Sequence, residues 1–175
     1  LQDMREGRDH DRAELEEYAE ECGIDTEDTN SVYSFFRVEL IDGGGLPTAR
    51  VLSVDLLPKP AAFPAFGPAP KAYRIRRLRS LNAQPAVLEE IWLDADQTAQ
   101  LSTSELSHSL YLYYRNVLKL WITEAEDQLG LEPVPQWAPD GFEPTPGTPC
   151  LFAARLSRSQ TGETVEYSQN WIDTN

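Results

Sequence analysis

A sheet built from hairpins, with a helical segment set apart from the strands, is the fold that the sequence predicts, and three patterns predict it. Residues 72–81 and 86–93 alternate polar and apolar side chains around Asn82-Ala83-Gln84-Pro85. Residues 150–156 and 163–172 flank a second turn containing Thr161-Gly162. Residues 107–119 instead place Leu110, Tyr113, Tyr114, Val117 and Leu118 along one helical stripe.

Near the start of the chain, Asp11 and Glu14 resemble a capping box, and Leu15, Tyr18, Ala19 and Cys22 recur at helical spacing until Gly23 stops the helix and Ile24 folds back on its last turn. Glu16, Glu17, Glu20 and Glu21 then form a solvated face, so residues 1–29 read as an acidic helical leader. An apolar stretch over 32–40 ends at Gly43-Gly44-Gly45. Residues 49–56 read as a strand, where Leu52, Val54 and Leu56 alternate with Val51, Ser53 and Asp55. Five prolines between Pro58 and Pro70 prescribe a loop, which Phe63 and Phe66 pin to the core. Residues 120–131 read as a strand rich in charge, and 133–149 are again punctuated by proline.

A chain of 175 residues suits one domain with its own core. No apolar run approaches the ~18 residues of a membrane helix, so no membrane partner is expected. The net charge is −14, and residues 1–30 hold 12 acids against three arginines. Such a chain repels a phosphate backbone and is a poor candidate for binding DNA by itself. Cys22 and Cys150 lack the spacing of a metal site and read as reduced thiols. The opening at Leu1, without a signal-peptide pattern, points to a cytoplasmic protein and to a fragment of a longer one.

Symmetry about Ala83 places Arg77 opposite Glu89 and Arg79 opposite Val87, on the face that also carries Tyr73, Ile75 and Ile91. Two guanidiniums beside a carboxylate suit a ligand bearing both acidic and hydroxyl groups. The plainer alternative is an ion pair on a wet sheet face, contributing well under ~1 kcal/mol. Glu166, between Val165 and Tyr167, points away from both and is either surface or ligand contact. Ser109 is either a helix cap or a ligand contact. His10 and His108 lack partners at an informative spacing, and the chain shows no phosphate loop, dinucleotide fingerprint or His/Cys cluster. Catalytic residues, metals and cofactors are therefore not expected.

The same residues carry a family resemblance. Tyr33-Ser34-Phe35-Phe36, residues 47–52 (PTARVL), 74–79 (RIRRLR) and 85–89 (PAVLE), Ser109-Leu110-Tyr111, residues 147–151 (GTPCL) and Glu166-Tyr167-Ser168 come in the order and spacing of the UTRA domain, which they resemble. This is the effector-sensing domain of GntR-type bacterial transcription regulators of the HutC subfamily, and it shares its fold with chorismate lyase. The resemblance covers residues 30–175 and implies an α+β fold with a mostly antiparallel sheet, a homodimer, and a small-molecule effector. It also implies operator DNA contacted only through an N-terminal winged helix-turn-helix that this chain lacks. Effector contacts would come from Arg77, Arg79, Glu89, Ser109, Glu166 and Ser34. Phosphosugar-sensing members resemble Thr-Ser-Phe-Thr where this chain has residues 33–36, and their terminal Tyr-Arg-x-Asp stands here as Ile172-Asp173-Thr174-Asn175. A less polar or non-phosphorylated ligand is the expectation. The shared fold leaves a lyase of the chorismate-lyase type as the alternative.

Overall fold

The computed structural model describes residues 48–101, 103, 106 and 109–174. The leader helix, the 32–40 stretch, Ser34, both histidines and Cys22 lie outside them. Six strands are described: β1 (Thr48–Pro58), β2 (Lys71–Leu81), β3 (Gln84–Asp94), β4 (Ile122–Pro133), β5 (Pro149–Ser159) and β6 (Thr164–Ile172). They form one sheet in the order β1-β2-β3-β6-β5-β4, with every neighbouring pair antiparallel. With the helix after Ser109, this is the expected α+β architecture.

The turn of the first hairpin is tighter than the four residues expected. Only Asn82 and Ala83 separate the strands, with φ of 48° and 62°. Two consecutive left-handed residues make the hairpin turn whose twist matches that of its strands. Alone, this turn would shift the pairing by one residue. A bulge between Arg79 and Ser80 restores it, so Arg77 faces Glu89 and Arg79 faces Val87 as the symmetry argument expected.

A second bulge, between Val51 and Ser53, corrects the expected alternation in β1. Leu52 packs with Leu78 and Trp171, whereas Val54 packs with Ile75 and Ile91 on the other side of the sheet. The extra residue rotates the rest of the strand by half a pleat.

Helix α1 (Leu110–Tyr113) starts at Ser109, whose hydroxyl accepts from Leu112 N at 3.4 Å. It continues into a π-helical turn, Tyr114–Leu118, closed by Lys119 at φ 56°. The wider winding spoils the 3.6-residue stripe. Leu110, Tyr113 and Tyr114 are buried as expected, but Val117 is 56% exposed.

Both faces of the central strands are covered. The helix side buries Tyr73, Ile75, Ile91 and Leu93 against Leu110, Tyr113 and Tyr114. Val165, expected to point away from Glu166, joins this same cluster beside a register shift at Ser157/Arg158. On the loop side, Phe66 and Phe63 cover Trp92 and Tyr167, while Val134, Trp137 and Phe142 cover Leu78, Leu88 and Trp171. The proline loop is anchored by charge as well as by aromatic packing. Lys59 bonds Asp94 and the carbonyls of Phe66 and Gly67, and Asp94 accepts from Ala69 N at 3.1 Å.

Two substitutions test these backbone readings by urea unfolding. Ala83→Gly relieves a left-handed alanine and raises stability by about 1 kcal/mol at unchanged m-value. Gly67→Ala sets a Cβ 2.2 Å from the Asp94 side chain at φ +56° and lowers stability by about 3 kcal/mol.

Candidate functional site

The middle of the helix side is polar where its surroundings are apolar, and strand pairing explains why. Arg77, Glu89, Asn170 and Ala153 lie side by side across β2, β3, β6 and β5. One step along, Ile91 is followed by Ser168, Arg155 and Asp127, and a further step brings Leu93, Glu166 and Ser157 into line. Period two puts all of these on one face.

The arginine pair and Glu89 converge. Arg77 donates to Glu89 Oε2 from Nε at 2.7 Å and approaches the same oxygen with Nη2 at 2.6 Å. Arg79 Nη1 reaches Glu89 Oε1 at 3.4 Å. Arg77 is 4% exposed, so the solvated ion pair weighed from sequence is not what forms. Removing one partner of such a buried pair costs about 3–5 kcal/mol, because the other is left charged and alone. Glu89 Oε1 receives only that long contact among the described residues and retains capacity to accept.

Glu166 is 1% exposed and anchors the helix. Tyr114 donates to its Oε2 at 2.7 Å, while Tyr111 and Ser157 both donate to Oε1 at 3.0 Å. Burial pushes the Glu166 carboxyl up, against the three hydroxyl bonds and nearby Arg77, which pull it down. Burial likewise raises both tyrosines far above their ordinary range and keeps them protonated donors. Next to this cluster, Arg155 grips Asp127 with Nε and Nη2, both at 2.6 Å. Burial works against the Arg155 charge, but the bonds to Asp127 and the influence of Tyr111 hold it above its ordinary value.

Of the residues singled out from sequence, the structure brings Arg77, Arg79 and Glu89 together. It buries Glu166 on the same face, close enough to Arg77 for the two charges to interact. Ser109 caps the helix that supplies Tyr111 and Tyr114. Sequence reasoning missed Tyr111, Tyr114, Arg155, Ser157 and Ser168. A signal for three of them existed: symmetry about the Thr161-Gly162 turn, applied as it was to the first hairpin, pairs Glu166 with Ser157 and Ser168 with Arg155. Among the described residues no cluster of His, Cys, Asp or Glu could hold a metal ion.

A buried set of acids and bases thus lies on one side of an antiparallel sheet beneath a capped helix, in a domain of the α+β class. The UTRA domain model matches residues 42–175, and the chain belongs to that family. It is 51% identical over 146 residues to the HTH-type transcriptional regulator SmoD of Agrobacterium fabrum; the match covers 83% of this chain and 62% of that protein's length. The fold is shared with the ligand-binding domain assigned to a GntR-family regulator of Bordetella bronchiseptica (TM-score 0.68, 23% identity, 82% of this chain and 93% of that one). It is also shared with the effector domain of PhnF from Mycobacterium smegmatis (TM-score 0.56, 16% identity, 73% and 81% covered).

Because the folded Glu166 titrates above its ordinary 4.5, the native state holds a proton that the unfolded chain has already lost, and stability falls as pH rises through that window. Glu166→Gln removes this dependence. Between about pH 4 and about pH 8, urea unfolding will show the balance moving in favour of the variant as pH rises.

Proposed function

We propose that the chain is the effector-sensing and dimerisation domain of a GntR/HutC-type transcriptional regulator. The sensing unit spans residues 30–175, the acidic leader 1–29 forms the linker, and operator DNA is contacted by a winged helix-turn-helix in the longer protein. The observation that carries this reading is the convergence of Arg77, Arg79 and Glu89, with Glu166 buried further along the same side of the sheet. Arg77 and Arg79 present donors to an acid or carbonyl end of a small polar metabolite. Glu89 Oε1 and Glu166 accept from its hydroxyls or amines, and Ser34 and Ser109 contribute hydroxyls. The effector shifts DNA affinity by binding one dimer arrangement better than another. The similarity to SmoD, a transcriptional regulator, supports a cytoplasmic sensor over an enzyme.

A metabolite panel scored by melting temperature tests this, with hits expected to carry an acid or amide group. Glu89→Gln weakens a hit about tenfold, the worth of one charge-assisted hydrogen bond. Glu90→Gln, in the Arg76 pair on the loop side, leaves it unchanged. A hit will also change the operator affinity of the full-length regulator. Equal binding by the Glu89 variant would remove the site from the reading, and pyruvate release from chorismate would replace the sensor with the lyase.

A further inference from the structure

Beyond the arginine pair near the hairpin turn, the helix side holds a third buried guanidinium, outside every motif that carries the family resemblance. Arg155 is 4% exposed, and its fork closes in parallel on both oxygens of Asp127. That is the bidentate geometry in which arginine recognises carboxylates and phosphates. The partner is not equally enclosed: the Asp127 side chain is 39% exposed, on the strand that flanks the sheet among the described residues. Asp127 can turn outward into water, whereas Arg155 cannot follow it.

The neighbour of Arg155 in the sheet supplies the second observation. Ser168, 5% exposed, pairs with Arg155 in register and lies on the same face. Among the described residues, the only hydrogen bond at its hydroxyl is a long one that it accepts, 3.5 Å from Asn170 Nδ2. Its own proton finds no acceptor there. A buried hydroxyl with an unspent donor normally has a partner, and one that lacks it marks a place where a ligand atom fits. Tyr111, hydrogen-bonded to both Ser157 and Glu166, stands beside Arg155 and ties it to that cluster.

We propose that Arg155 and Ser168 form a second anion subsite, in which an oxyanion of the ligand takes the place of Asp127 on the Arg155 fork and accepts the Ser168 proton. Asp127 is then the subsite's built-in competitor: it neutralises the guanidinium before the ligand arrives and moves to solvent afterwards. The ligand class this selects is a small hydroxylated molecule with a carboxylate or phosphate-like group at the Arg155 end. Its hydroxyls reach back towards Glu166. The inference rests on the helix side being a ligand face, as the sensor reading holds, but it concerns residues which that reading does not use.

Inorganic sulfate serves as the probe, titrated into the 175-residue chain against chloride at matched ionic strength and followed by melting temperature and tryptophan fluorescence. General salting-out stabilises all variants alike and does not saturate. Occupancy of the subsite saturates. Ser168→Ala weakens the saturable response at least fivefold, and Ser168→Thr, which keeps the hydroxyl, restores it. Asp127→Asn tightens it at least threefold by removing the competitor, an effect opposite in sign to that of losing a structural ion pair. Should Ser168→Ala not fold, Arg155→Lys, which keeps the charge and loses the fork, must show the same weakening. A response that never saturates, or one that is equal in wild type and Asp127→Asn, overturns the proposal. Because sulfate needs no knowledge of the effector, the subsite can fail while a metabolite still binds through Glu89, and the reverse.

Discussion

A carboxylate taken out of water has to be matched by donors or lose its charge, and in this domain Glu166 is where that requirement joins the sheet to the helix. Tyr111 and Tyr114 descend from the helix and Ser157 stands on the adjoining strand, so one side chain ties three elements together. The arrangement depends on the π-helical turn, which starts at Tyr114 directly after the α-helical residues. Insertions of this kind recur at functional positions because they reorient side chains without breaking the helix. Ser109 fixes the start of the same element, one residue before Leu110.

The loop side has a different logic. There the sheet is sealed by two irregular segments rich in proline, neither of which has a ladder of its own to hold it. Aromatic contacts hold both: Phe63 lies edge-on to Trp92 at 5.5 Å, and Trp137 lies edge-on to Trp171 at 5.9 Å. Asp94 and Lys59 add a charged anchor at a point where only glycine leaves room. Sealing one face this firmly leaves the other to carry the polar residues, whose charges are met by one another instead of by solvent.

Much of this was legible in the chain. The strands, the proline loops and the pairing of Arg77 with Glu89 come from alternation and turn position, which are local properties. The pairing came out right for a reason that was not visible: the short turn and the bulge at Ser80 offset one another. Leu52 and Val117 were misread because a bulge and a change of helical winding each break a fixed period, and neither has a residue signature here. The burial of Glu166 could not be read from β6 alone, since it depends on tyrosines more than fifty residues away. Arg155 and Ser168 were within reach of the turn-symmetry argument and were missed because neither stands out in composition.

Neighbouring positions of the first hairpin carry two arginine–glutamate couples that point opposite ways, Arg77 with Glu89 on the helix side and Arg76 with Glu90 on the loop side. Sliding the strands by one residue in one direction would set Arg77 against Leu88 and Glu90 against Ile75; sliding them the other way would set Arg76 against Ile91 and Glu89 against Leu78. Either slip would keep one arginine–glutamate pair, Arg76 with Glu89 or Arg77 with Glu90, but would leave the other two ions against hydrocarbon and turn the side chains of one strand to the wrong face. Only the observed alignment satisfies both couples at once, so the pair of ion pairs favours that register over its neighbours.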